Sequence, residues 1–265
     1  MIVFSYDRPM QLYAFLESVK KYVAGLNNIF VIYRVSDQGF EQGYGCLKKE
    51  FLDVEFLRQK DKEDFRRLSK QAFFKSSSDN IIFAVDDIII KDEVDLTYCA
   101  SLLHIQKAYG FYLRLGKNIS ECYAADVKTS VPKNKHVERD VFKYKFSDGE
   151  WDWCYPNTVD MTLFKKRDIA LMLFIRSWAS PNRLEGVWAS LANKNEYGLF
   201  FEQSKIVNIP ANLVQSEISN RMASLHTAKD LLIKFKAGKK IDISDFYKIN
   251  NKAPHMEKEF NFIQR

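Results

Sequence analysis

IIFAVDDIII, residues 81–90, is an apolar, β-branched run interrupted by two adjacent carboxylates, Asp86 and Asp87. A run of this composition is the signature of a strand buried on both faces of a parallel sheet. Ionised side chains near such a core need a cationic partner or a metal, because an unpaired carboxylate is poorly solvated away from water. Asp is also common in turns and at helix N-caps. Ile88, Ile89 and Ile90 resume the apolar run at once, however, so the acids are expected to interrupt a strand region and not to end it. Ligands of open α/β sheets gather at the carboxyl ends of strands. Hard divalent cations such as Mg²⁺ and Mn²⁺ take one or two carboxylates together with substrate phosphates, so the pair lies where a nucleotide diphosphate would bind.

Upstream, IVFS at 2–5 and IFVIYRV at 29–35 read as strands, with helical apolar spacing between them at Leu12, Phe15, Leu16, Val19 and Val23. A helix over 44–51, a short strand at 54–57 and a helix over 62–75 precede the acidic strand. Downstream come a helix at 96–106 and strands at 109–115, 141–146 and 161–164. Helices follow at 167–177 and 182–192, with Phe200 and Phe201 in a turn. Residues 118–153 are polar, Lys-rich and broken by Pro132 and Gly149, as expected of an insertion near the site; residues 228–235 form a basic amphipathic helix, and 239–265 read as loosely structured. This alternation predicts an α/β fold: a single Rossmann-like domain with a mostly parallel central sheet flanked by helices.

Composition narrows the class. With 265 residues, 46% hydrophobic and 28% charged, and only 10 Gly and 6 Pro, the chain suits one substantial globular domain. The net charge of +6 suits an anionic ligand or a membrane surface. The Lys and Arg are mixed with acids and follow no nucleic-acid-binding pattern, so no nucleic acid is expected. Cys46, Cys99, Cys122 and Cys154 are far apart, without CxxC spacing, and read as reduced. The chain begins a strand immediately, at MIVFSYDRP, and has no stretch of about 18 apolar residues. The expectation is cytoplasmic residence, with peripheral contact at the inner membrane face.

Several pieces then fall in a characteristic order: FSYDRP at the end of the first strand, FAVDDII, WDWCYPNTVDMTLFKKRDI, SPNRLEGVW, and a tail with VNIPANLVQSEISNR, GKKIDISDFY and NNKAPHMEKEF. In these the chain resembles nucleotide-sugar glycosyltransferases of the GT-A fold, in particular small bacterial ones. The resemblance implies transfer of a sugar from a nucleoside-diphosphate sugar, UDP-sugars favoured, to a glycan or lipid-linked acceptor with the help of Mn²⁺ or Mg²⁺. It implies Asp87 as metal ligand and Asp86 as its companion on the ribose or the metal. The usual Asp-x-Asp motif is here Val85-Asp86-Asp87-Ile88, so one expected carboxylate is aliphatic.

Other candidates follow the same likeness. In the loop Ser5 to Arg8, Tyr6 can stack on a pyrimidine, Asp7 can accept from its N–H, and Arg8 can meet phosphate in bidentate fashion. Asp-Arg-Pro is equally a helix-entry signal, with Asp7 as N-cap. Asp37 at the end of the second strand and Arg66 on the helix before the acidic strand are further nucleotide contacts, or a cap and a solvated helix face. Glu185 is the candidate base for an inverting transfer, against a capping box with Asn182; Asp160 is the next choice. Trp151, Trp153, Tyr155 and Asp152 suit sugar stacking, with Trp153 the chosen contact. His255 is a candidate third metal ligand, and Arg221 a phosphate contact. Residues 1–115 are expected to form a nucleotide-sugar half, 116–225 an acceptor half, and 226–265 a helix and tail over the site. Two alternatives stand: a catalytically silent nucleotide-binding protein of the same fold, and a nucleotidyltransferase, for which FSYDRP lacks the glycine-rich loop.

Overall fold

Four of the apolar runs pair in parallel: β1 (Ile2–Tyr6), β2 (Ile29–Arg34), β3 (Val54–Arg58) and β4 (Asn80–Val85), with β1 between β4 and β2. The computed structural model describes residues 1–175, 178–212 and 226–265. Five more strands, β5 (Gly110–Gly116), β6 (Asn134–Glu138), β7 (Val141–Lys145), β8 (Thr162–Lys165) and β9 (Tyr197–Phe201), complete a sheet of order β6-β7-β9-β5-β8-β4-β1-β2-β3. The pairings leave only β7 and β8 running against the others, so the sheet is mostly parallel in direction.

Alternation along β1 and β2 sends side chains to two cores. Val3, Val31, Ile82 and Ala84 face the helices α1 (Pro9–Tyr22) and α2 (Gln38–Glu50). Ile2, Phe4, Phe30, Ile32 and Phe83 face α3 (Lys62–Lys75) on the other side. The first core is joined by α4 (Leu96–Ile105), the second by α5 (Lys166–Ile175) and α6 (Pro181–Ala189), and α7 (Ala228–Lys236) closes over the first. Eleven of the 14 residues of α1 are buried, as a helix held between sheet and C-terminal tail requires. Among the described residues no helix is long and apolar enough to cross a membrane, and all four cysteines are free thiols.

Three sequence expectations are corrected. β4 ends at Val85; Asp86 and Asp87 form a turn, and Ile88–Ile90 leave the sheet to pair antiparallel with Ile206–Asn208. The three isoleucines stay buried because this ribbon packs under α1, where Ser18 Oγ accepts the Ile90 N–H at 3.0 Å. Phe200 and Phe201 lie in β9, hydrogen-bonded on both sides, not in a turn. The tail is ordered: Lys239–Ile241 pairs with Phe262–Gln264, and Ile241, Phe246 and Phe260 are buried. Short apolar groups separated by polar residues hide that docking from the sequence, because their partners are distant in the chain.

Candidate functional site

The carboxyl ends of β1 and β4 are tied together by Asp86. Its Oδ2 accepts from Ser5 Oγ at 2.8 Å and from the Tyr6 N–H at 3.2 Å, and its Oδ1 accepts from Arg8 Nη1 at 3.0 Å. The same Nη1 donates to Asp87 Oδ2 at 3.2 Å, so one guanidinium bridges both acids. Arg8 Nε donates to Asn212 Oδ1 at 2.8 Å, and Nη2 to the Asn212 carbonyl. Tyr44 on α2 completes the cluster, its hydroxyl 2.6 Å from Ser5 Oγ. Burial pushes the Asp86 carboxyl up to about 6, with Asp87 adding to the rise and Arg8 opposing it. For Arg8 burial works the other way, but Asp86 and Asp87 outweigh it and hold its proton more tightly. Sequence reasoning asked for a cation beside the acids; within the chain, that cation is Arg8.

Asp7 adopts a left-handed conformation, φ 53°, and its Oδ1 accepts from the Ser36 N–H at 2.9 Å. It therefore clamps the β1 loop to the end of β2 and is not the N-cap of α1, a position held by Arg8. The Tyr6 ring lies 5.1 Å from the Arg34 guanidinium and is partly exposed.

A second acidic pair stands beside the first. β8 runs antiparallel to β4, with Thr162 opposite Phe83, so the residues just before β8 reach the carboxyl end of β4. Asp160 is among them, and its Oδ1 accepts from Asn208 Nδ2 at 3.1 Å, while the Ile209 N–H donates to the Asp87 carbonyl at 2.8 Å. Asn208 and Ile209 thus join the two acidic centres. Glu185, in α6, accepts the Val159 N–H on Oε1 at 2.9 Å. The capping box with Asn182 does not form: Ser180 is the N-cap and accepts from the Arg183 N–H at 3.3 Å. Desolvation by the surrounding protein, then repulsion from Asp160, pushes the Glu185 carboxyl up to about 7. His255 Nε2 lies 3.9 Å from Asp160 Oδ2, brought there because Pro254 and Met256 hydrogen-bond through their backbones to Asn208.

The remaining candidates go elsewhere. Asp37 caps α2, accepting from the Gly39 and Phe40 N–H groups at 2.7 and 3.1 Å. Arg66 Nη2 donates to the Phe174 carbonyl at 3.0 Å and joins α3 to α5. Trp153 is not available to a sugar: it is fully buried among Tyr144 and Phe200, whereas Trp151 is half exposed. Arg221 lies outside the described residues.

The residues expected to meet Mn²⁺ or Mg²⁺ are Asp86, Asp87 and His255, and the structure separates the first two from the third. Among the described residues no three His, Cys, Asp or Glu side chains converge to hold a metal ion. Both Asp86 oxygens are engaged and Asp87 Oδ2 takes Arg8, but Asp87 Oδ1 is buried without a hydrogen-bond partner, the one carboxylate oxygen of the pair left to meet a cation, while His255 faces Asp160.

Arg114, in β5, was missed by sequence reasoning. It is buried, and it donates from Nη1 to Asp152 Oδ1 at 2.7 Å and from Nη2 to the Asp152 and Tyr155 carbonyls at 2.9 Å each. The one available signal was a charged residue inside an otherwise apolar strand, FYLRLG, the same signal that singled out Asp86.

No protein-family model matches the chain. The chain is 28% identical over 186 residues to the bifunctional glycosyltransferase pgtA of Dictyostelium discoideum, a match that takes in 64% of this chain and 24% of that protein. The chain therefore spans about a quarter of the length of that curated relative. Among solved structures, S. aureus TarS in complex with UDP-GlcNAc superposes with a TM-score of 0.47 at 10% identity, over 85% of this chain and 61% of that one. GalNAc-T7 with UDP, GalNAc and Mn²⁺ gives a TM-score of 0.49 at 10% identity, over 78% of this chain and 43% of that one. Superpositions at this level fix neither a site nor an activity.

Proposed function

We propose that this chain is a GT-A-like glycosyltransferase that takes a nucleoside-diphosphate sugar, preferably a UDP-sugar, and transfers the sugar to a hydroxyl of a glycan or lipid-linked acceptor. The observation that carries the reading is the meeting of two acidic centres at the carboxyl edge of the sheet, Asp86–Asp87 and Asp160–Glu185, joined through Asn208 and Ile209. Sequence similarity to a glycosyltransferase over 186 residues supports the same class. Residues 1–115 carry the donor side, 116–225 the acceptor side, and 226–265 pack over the site. With a lipid-linked acceptor the protein would work at the cytoplasmic face of a membrane.

In this reading the bond between the anomeric carbon and the diphosphate breaks through an oxocarbenium-like state, as in glycoside hydrolysis. The acceptor oxygen forms the new bond, with inversion, and its proton passes to Glu185. A carboxylate tuned to about 7 is well matched to that task, because a general base works best when its proton affinity sits near the working pH. Asp160 holds a donor or acceptor hydroxyl beside it. Ser5, Tyr6 and Arg8 form the nucleotide end. A divalent cation, if bound, would be held by Asp87 with the donor's diphosphate and would supply charge for the departing group.

The bridging of Asp86 and Asp87 by Arg8 favours one second reading, a protein that binds the nucleotide without turning it over. A hydrolysis screen across UDP-, GDP- and CMP-sugars, with and without Mn²⁺ and repeated on Asp87→Ala, separates the two. Turnover of a sugar nucleotide supports the transferase. Nucleotide binding with no turnover of any donor, in the presence of glycan acceptors, would retire it.

A further inference from the structure

A buried arginine is unfavourable unless its partners compensate for lost hydration, and Arg114 is placed where its charge has a use beyond its own ion pair. It lies in β5, whose Tyr112 is opposite Thr162 of β8; continuing that antiparallel register sets position 114 across from Asp160. Its partners Asp152 and Tyr155 belong to the turn that leads into Thr158, Val159 and Asp160. Thr158 Oγ1 in turn accepts the Asp160 N–H at 3.1 Å, and Val159 donates to Glu185. One guanidinium therefore anchors the segment that carries Asp160 and grips Glu185. Its charge also reaches this acidic corner: Asp152 first, then Asp160 and Glu185, interact with Arg114. Its Nε–H is buried without a partner, so Asp152 alone does not satisfy it.

We propose that Arg114 is a positioning residue for the reaction: by holding the 152–160 segment it sets Asp160 and the Val159 N–H against Glu185, and its positive charge favours the ionised form of that carboxylate. The proposal rests on the glycosyltransferase reading given above. The groups facing Glu185 are Asp160 before β8, Arg114 in β5, Tyr155 in the preceding turn, and the Thr158 hydroxyl and Val159 N–H that bond it. His255 faces Asp160 from the tail. An opposite charge close to a carboxylate favours its ionised form, and removing that charge lets desolvation and the neighbouring acid act unopposed.

The test is a carboxyl-carbon NMR titration of Glu185, assigned by its loss in Glu185→Gln, together with the pH profile of donor turnover. It uses the wild-type chain, Arg114→Met, Arg114→Lys and Asp152→Asn. Arg114→Met should move the Glu185 midpoint and the acidic limb of the profile, which reports the ionisation of a general base, upward by about one pH unit. Asp152→Asn, which removes the acid that competes for Arg114, should move both downward. Arg114→Lys, which keeps the charge and loses the fork, should stay near the wild type in midpoint while lowering kcat. Shifts of opposite sign in two variants cannot come from a general loosening of the fold. Should Arg114→Met fail to fold, the Lys and Asn variants decide. A Glu185 midpoint that stays put in Asp152→Asn, or moves in the same direction in every folded variant, overturns the proposal. A wild type that turns over no donor overturns the transferase reading instead, while the titration still reports on Arg114.

Discussion

Replacing Glu185 by Gln should stabilise the protein and abolish its chemistry at once. The carboxyl is raised from an ordinary 4.5 to about 7 by desolvation and by Asp160. At about 1.4 kcal/mol per tenfold change in proton affinity, that rise corresponds to roughly 3 kcal/mol as an upper bound. Because the folded state holds the proton more tightly than the unfolded chain, folding is favoured below about pH 4.5, and the advantage is lost as the pH climbs to about 7. Above that pH the wild type bears the whole penalty of an ionised carboxylate beside Asp160. Gln bears none, and its Oε1 can keep the hydrogen bond from Val159. The variant should therefore gain about 1–3 kcal/mol at pH 8 and almost nothing at pH 4. Asp86, also raised, titrates in both proteins and drops out of the difference. Urea unfolding followed by circular dichroism at pH 4, 6 and 8 measures the gap, and turnover of the preferred donor measures the loss, expected at 100-fold or more. A Gln variant less stable than wild type at pH 8, or a gap that does not widen with pH, would refute the assignment of a strained carboxylate.

Arg114→Met leaves Asp152 without its buried partner and should lower stability by about 3–5 kcal/mol, read as a drop in urea midpoint with unchanged slope. Trp153→Ala should cost about 3–5 kcal/mol because the indole fills the core, whereas Trp151→Ala, at a half-exposed position, should stay within about 0.5 kcal/mol; thermal melts of the two compare them directly. Gly198→Ala should cost about 1–3 kcal/mol, since a Cβ there would come within 2.8 Å of the rings of Tyr112, Tyr144 and Phe146. A melt unchanged from wild type would mean that the aromatic layer yields more easily than its packing indicates. Ser5→Ala removes the hydroxyl shared by Asp86 and Tyr44 and should destabilise by about 1–3 kcal/mol, most visibly above pH 6, where Asp86 is ionised.

Much of the architecture was legible in the order of residues because it depends on local rules. β1, β2 and β4 are largely apolar runs, α1 and α3 show helical spacing with a Pro or Asp at entry, and their alternation fixes a parallel α/β core. Likewise Asp86 and Asp87 could be recognised as needing a partner, because carboxylates inside a greasy run demand compensation wherever the chain folds. What supplies that compensation is not a local matter. Arg8 meets them only because β1 and β4 are neighbours, and Asn212 reaches Arg8 from 204 residues away. The choice between core and site for Trp151 and Trp153 turned on which face of one short turn met β7 and β9, while Asp37 was settled by N–H groups of the first turn of α2 and Asp7 by the Ser36 N–H after β2. Sequence by itself determined where charge had to be answered. Tertiary structure alone decided which charge answers it, because an ion pair in a core is defined by strand order and register, and these bring together residues that no spacing along the chain connects.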